Sequence, residues 1–415
     1  MSKNGHGRSS RIVAKQGLGI LAATVLVIVL LEAVLRLGAF FWNDWNQFYL
    51  FYGFHGLVGR VGISPWSVYG GGHYKFPPGY SLQGAAGQGG ESAAINSLGF
   101  RGPDFDPIKP EGTFRVICLG GSSTFGFHDT DTGTYPYQLQ QLFGEPINGL
   151  SVEVINGGFP YYTTASVRSL LEKELASYDP DLITLYAAYN DASWPLGSGS
   201  GTRVLFWISQ HSMIYLVMKE TLLPDSRVLW LGRKLRRWLP ASTDPAALDQ
   251  TAEAVAARYR QNMEAILTFA AERGIGAMLV RQPMTTQVDN RDFTRRTYAE
   301  EYATVTAKIA AREPLTELEQ RMFLHHRLID ELDALARERN LPVVDNIAIV
   351  DQDRSRLTTW VHLTEEANAQ LARALHDAIV PLIPGAVPAP TAPVVAAPAP
   401  AAPGATAPVA AAAAP

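Results

Sequence analysis

Intrachain disulfide bonding is excluded at the outset. The chain of 415 residues holds one cysteine, Cys118. No intrachain disulfide and no cysteine-based zinc site can be built from it. A lone thiol inside the apolar stretch "VICLGG" reads as a small core side chain. An excess of positive charge is also lacking: 35 Lys and Arg stand against 39 Asp and Glu, for a net charge of −4. No basic stripe dominates the soluble part, so nucleic acid is not an expected partner. The C-terminal stretch "PGAVPAPTAPVVAAPAPAAPGATAPVAAAAAP" lacks charge, period and large side chains. It cannot form a core and reads as an extended, disordered tail, either a spacer or without a role.

The N-terminus has what the tail lacks. "MSKNGHGRSSRIVAK" carries Lys3, Arg8, Arg11 and Lys15, and an apolar run follows from Gly17. A membrane-spanning helix needs about 20 residues at about 1.5 Å each, which the run to Leu37 supplies. Glu32 and Arg36 share a helix face and can pair, and Arg36 can snorkel outward. A cleaved signal peptide is the alternative, but no small-x-small site closes the run. The basic flank predicts a cytoplasmic N-terminus. The chain after Phe41 would then face the periplasm or cell exterior from the cytoplasmic (inner) membrane. "FFWNDWNQFYLFYGF" suits an interfacial belt beside the lipid bilayer. The expected organisation is residues 1–16 in the cytoplasm, a signal-anchor helix over 17–41 and a juxtamembrane segment over 42–112. A domain over 113–383 follows, with an insertion at about 195–245, and then the tail over 384–415.

Between these ends, strand and helix patterns alternate. "FRVICLGG", "VEVINGG", "DLITLYAAYND", "GAMLVRQP" and "LPVVDN" read as buried strands. Between and after them lie amphipathic stretches with apolar residues three and four apart. Such alternation implies parallel strands with helical crossovers: an α/β protein, a three-layer α/β/α sandwich around a parallel sheet. Functional groups in this class gather at the carboxyl ends of the strands.

Four polar points fall at that edge: Ser122 after the first strand, Gly158 after the second, Asn190 after the third, and His362 before the last helix, which Thr364 can cap. A hydroxyl needs a base to become a nucleophile, and the developing oxyanion needs donors fixed in advance. Ser122 can supply the hydroxyl and an N–H, Gly158 a backbone N–H, Asn190 an amide NH2, and His362 the general base. Each residue also has a plainer reading: helix cap, turn glycine, loop cap and packed histidine. Ser123 is the rival nucleophile. Asp191 reads as structural, and His325 and His326 lie on an ordinary amphipathic helix. "LWLGRKLRRWLP" is a basic, Trp-rich connector, a lid or a lipid-contacting segment.

The order "GGSST" (Gly120 to Thr124), glycine after the second strand, Asn-Asp after the third and a late histidine resembles the SGNH (GDSL-like) hydrolase family. "INSLGFRGPDF" and the N-terminal run resemble its membrane-anchored bacterial members. The resemblance spans about Ile95 to Leu382. It implies the flavodoxin-like SGNH fold and esterase, lipase or acyl-transfer chemistry through a serine ester, with no cofactor and no metal. Three positions depart from the family pattern: Gly121 where Asp is usual, Ala188 where Gly is usual, and Thr359 where an Asp would orient the histidine. Loss of such a carboxylate costs about 10⁴-fold in a measured triad. The orienting group is then Thr359 itself, Asp351 or Asp353 from the same loop, or a backbone carbonyl. The resulting expectation is a membrane-anchored serine esterase or acyltransferase acting on acyl esters, such as acetyl, of a cell-envelope polysaccharide. The alternatives are a non-catalytic scaffold or glycan-binding subunit of an envelope protein complex, and a lipid or small-molecule esterase.

Overall fold

The computed structural model describes residues 19–20, 22–35, 73, 75–76, 79, 81–82, 93–192, 245–286 and 296–385. The basic N-terminus, the aromatic segment after the apolar run, "LWLGRKLRRWLP" and the Ala/Pro tail lie outside them. Residues 22–35 are helical, with Val25, Val27, Ile28 and Val34 all more than half exposed. Among the described residues no helix is long and apolar enough to cross a membrane.

A short antiparallel ladder joins β1 (Ser81–Leu82) to β2 (Ala93–Ala94). The main sheet contains β3 (Thr113–Gly120), β4 (Ser151–Gly158), β5 (Leu182–Tyr186), β6 (Gly276–Val280) and β7 (Val343–Val344). Its order is β4-β3-β5-β6-β7 and every pairing is parallel. The chain leaves β3 toward one edge and returns to build toward the other. β3 therefore stands where the winding reverses, the place where such sheets open a crevice at their carboxyl ends.

The central strands are apolar on both faces because both faces are covered. Ile117 and Leu119 of β3 point into one core, Val116 and Cys118 into the other. The first core is closed by α3 (Thr164–Lys173), α4 (Pro245–Ala271) and α6 (Glu317–Arg339), through Leu170, Tyr259, Met263, Leu328 and Leu332. The second is closed by α2 (Tyr135–Leu142) and α8 (Glu365–Ile379), through Leu139, Leu371 and Leu375. This gives the expected three layers. Cys118 is fully buried, and burial raises its thiol to about 12; it packs and does not react.

Two helices were not anticipated: α5 (Tyr298–Ala310) and the short α7 (Asn346–Asp351). α5 is opened by a capping box between Thr297 and Glu300. The segment before residue 113 is also more than a connector. Phe76, Ala93, Ile95 and Phe100 are buried in the first core, so the expected boundary at 113 falls inside one packed unit. Arg101 follows, with its side chain 1 % exposed. Its guanidinium donates to the carbonyls of Phe125 (3.0 Å), Asp129 (2.7 Å) and Gly126, and pairs with Asp131 at 3.0 Å.

Candidate active site

β3 ends at Gly120, and the chain turns at once into α1 (Ser122–Phe125). The turn demands glycine. A Cβ on Gly120 would lie 2.1 Å from Thr124 Oγ1 and 2.5 Å from the Tyr186 carbonyl. Ser122 therefore emerges at the carboxyl edge of the sheet, at the first position of the helix. α1 ends at Gly126 in the left-handed region (φ 79°), where Arg101 takes up the free carbonyls.

His362 comes from the far end of the chain. It sits in a tight loop closed by the Leu357–Leu363 bridge and by the Thr358 N–H donating to the His362 carbonyl at 2.8 Å. Thr364 caps the helix that follows, accepting from the Ala367 N–H. The loop presents His362 Nε2 at 2.8 Å from Ser122 Oγ. On its other side, Nδ1 faces Thr359 Oγ1 at 2.7 Å. Thr359 Oγ1 also accepts the His362 backbone N–H at 3.1 Å.

Asp351 and Asp353 are committed elsewhere. Asp351 accepts the Tyr298 N–H and pairs with Arg354 at 2.9 Å. Asp353 accepts the Ser355 N–H and hydroxyl. Of the four orienting groups considered, the fold brings Thr359 to the imidazole Nδ1.

Burial pushes the His362 imidazole down to about 3, with His128 adding repulsion. The two rings meet edge-on, centroids 4.6 Å apart. His362 is therefore neutral at rest, as a base must be, but no carboxylate favours its charged form.

Asn190 reaches the same spot. Its Nδ2 donates one hydrogen to the Tyr162 carbonyl at 2.9 Å, and an amide carries a second. It lies 2.9 Å from where a Cβ of residue 121 would stand. With Gly121, a departure from the family pattern, the amide lies where a larger residue would press on it.

Gly158 does not play the expected part. Its N–H is donated to Asn156 Oδ1 at 3.0 Å, and it is absent from the cavity lining. A Cβ there would strike the Phe125 nitrogen at 2.4 Å and Thr124 Cβ at 2.6 Å. Its glycine is a packing requirement: β4 lies directly against α1. The cavity wall past β4 is instead formed by Pro160 and Tyr161, the latter held at φ 62°. Apart from glycine, asparagine and aspartate, few residues take that region readily. A tyrosine there carried no signal in the sequence.

Ser123 points away from the cavity. Its hydroxyl donates to the Val361 carbonyl at 3.2 Å and receives Gln282 Nε2 at 3.3 Å. Gln282 Oε1 in turn accepts the N–H groups of Ala188 and Tyr189 at 2.9 and 2.8 Å. Ser123 and Gln282 thus tie the nucleophile turn to the histidine loop and to the loop after β5. Gln282 went unnoticed because nothing marks it off from the strand end it follows. Asp191 is fully buried and accepts the Thr164 N–H and hydroxyl, which fixes the start of α3. Burial raises it to about 6. His325 is buried within α6 against Tyr298, and burial lowers it to about 3.

The cavity beside Ser122 holds about 300 Å³. Its lining includes Ser122, Asn190 and His362, the rings of Phe127, Tyr161, Tyr189 and Trp360, and Arg321. The arrangement can pass a proton from a hydroxyl to an imidazole and offer an amide to a developing oxyanion. Among the described residues, no three His, Cys, Asp or Glu side chains gather as a metal site.

No protein-family model matches the chain, and no curated protein does. Solved structures do. A lipase/acylhydrolase from Enterococcus faecalis is 15% identical, over 64% of this chain and 95% of that one, with a TM-score of 0.38. An acetyl xylan esterase is 14% identical, over 64% and 100%, with a TM-score of 0.38. A member of the lipolytic G-D-S-L family from Veillonella parvula is 11% identical, over 63% and 95%, with a TM-score of 0.36.

Proposed function

We propose that the protein is an SGNH-type serine esterase or acyltransferase, held at a membrane by its N-terminal helix, that acts on acyl esters of cell-envelope glycans. The observation that carries the catalytic reading is the 2.8 Å approach of His362 Nε2 to Ser122 Oγ in the wall of an open cavity. The Ser122 hydroxyl gives its proton to Nε2 as Oγ bonds to the acyl carbon. The carbonyl electrons move onto oxygen, where the Asn190 amide and the Ser122 N–H stand as donors. Collapse expels the alcohol, which takes the proton back from Nε2. Water, or a sugar hydroxyl in the transferase case, then attacks the serine ester by the same path in reverse.

The exposed apolar helix over 22–35 and the basic residues before it support the anchor. With that orientation the cavity faces the periplasm or cell exterior, where envelope glycans carry acetyl esters. Thr359 in place of a carboxylate favours a second reading: a glycan-binding relative that has lost turnover.

Labelling with a fluorophosphonate separates the two. The wild type should form a covalent adduct and Ser122→Ala should not. Absence of labelling in folded wild type would exclude the catalytic reading. Acetyl release against acetyl transfer to an added glycan distinguishes hydrolase from transferase.

A further inference from the structure

The cavity wall carries one permanent charge. Among the described residues that line it there is no Asp, Glu or Lys, and one arginine, Arg321. Arg321 stands on α6, a helix that otherwise packs into the core. Its side chain is 15 % exposed. The guanidinium lies over the Tyr189 ring, 4.6 Å from the centroid, and donates to the Tyr189 hydroxyl. Its other terminal nitrogen reaches Glu317 at a long 3.3 Å, and that carboxylate is half exposed. The remaining donor, Nε, is buried with no hydrogen-bond partner.

A buried N–H left without an acceptor is costly. A permanent cation held by a neutral tyrosine and a weak, solvent-facing pair is under-neutralised for its depth. What the position offers is a planar fork, matched to a carboxylate, in the wall of the cavity that Ser122 also lines.

We propose that Arg321 makes this site selective for esters bearing a carboxylate close to the scissile bond. This rests on the esterase reading above and narrows its substrate class. The carboxylate displaces Glu317 and accepts from the guanidinium, while Tyr189 holds the fork in place. It belongs either to the acyl part, as in a half-ester of a dicarboxylic acid, or to the alcohol, as in an acetylated uronic-acid sugar.

The test compares kcat/KM for both anionic esters with neutral isosteres in which the carboxylate is a methyl amide. Wild type should prefer at least one anionic ester by about tenfold or more. The preference should shrink with added salt and be lost in Arg321→Gln, mainly through KM. The arm that shows the preference identifies the side on which the carboxylate sits. No preference in wild type, or a preference kept in the variant, overturns the proposal. Arg321→Lys keeps the charge and loses the fork; it should keep only part of the preference, and full retention overturns the fork. Calorimetric titration of Ser122→Ala with the same four compounds reads selectivity without turnover. Tighter binding of the anionic compounds there, in a protein whose wild type resists fluorophosphonate, would sink the esterase reading and leave the anion site standing. Labelled wild type with equal binding of charged and neutral compounds would do the reverse.

Discussion

Thr359 Oγ1 stands 2.7 Å from His362 Nδ1, on the opposite side of the ring from Ser122. A hydroxyl both donates and accepts. If it donates to Nδ1, the ring proton sits on Nε2, and an N–H faces the serine that should lose its own proton. If it accepts from Nδ1–H, Nε2 is free to act as base. A carboxylate in that place permits the second arrangement alone. Thr359→Asp should therefore raise kcat, by about tenfold or more. Thr359→Val removes the acceptor and should lower it. Steady-state rates on an activated acetyl ester decide this; an unchanged rate in both variants would mean that a group other than residue 359 orients the ring.

The same geometry sets the response to pH. His362 must be neutral to accept a proton, and burial holds it at about 3. The imidazole is then uncharged throughout the range above that value. The kcat/KM profile of wild type should stay flat on lowering the pH from 7 to about 5. In Thr359→Asp the new carboxylate favours the imidazolium and raises the histidine, so the acidic limb should move up toward neutral pH. A wild-type limb near 6 to 7 would mean that the ring is better solvated or better paired than its surroundings indicate.

Gly121→Ala tests the amide contact. The new methyl would meet Asn190 Nδ2 at 2.9 Å and the Tyr162 carbonyl at 3.3 Å. The amide is the freer of the two and should give way. Turnover should fall by about 10²–10³, matching Asn190→Ala, with the fold intact by circular dichroism. A raised KM with unchanged kcat in both would make Asn190 a ground-state contact instead.

Arg101→Met removes the cation that holds the end of α1. The carbonyls of Phe125 and Asp129, and the Asp131 carboxylate, would lose their donor. Asp131 is 38 % exposed and keeps its water, so the loss comes from the buried carbonyls left without a donor, about 1–3 kcal/mol each. Denaturant titration should show that loss, and activity should fall further than the folded fraction does, because Ser122 opens the same helix. Activity that merely tracks the folded fraction would reduce Arg101 to a general stabiliser.

The strands were legible because they are buried on both faces: "VICLG" and "LITLY" are apolar runs with no alternation to misread. The turn at Ser122 was legible for a related reason: the apolar run of β3 breaks at glycines followed at once by small hydroxyls. Gly158 shows the limit. A glycine after a strand reads the same whether it offers an N–H or clears space for a neighbour, and the neighbour, α1, is visible only in three dimensions. Thr359 could be placed by its spacing from His362. That Asp351 and Asp353 turn away depends on Tyr298, Arg354 and Ser355, whose positions no local pattern reveals. Arg101 falls within "INSLGFRGPDF", yet its partners are mostly backbone carbonyls well along the chain, and carbonyls leave no mark in a sequence.

Ser122 and His362 meet across 240 residues. Chains grow from the N-terminus, so the nucleophile is made long before its base exists. The sheet edge that carries Ser122 can assemble from β3, β4 and β5, but the imidazole arrives only when the loop before α8 docks, at the end of the described fold. Contacts this distant form late and close slowly. On the proposed mechanism the protein would be its own zymogen during synthesis: every partly made chain would carry a serine without its base, and competence would come only with the last helix. Fragments ending before residue 362 should fold in part and label not at all.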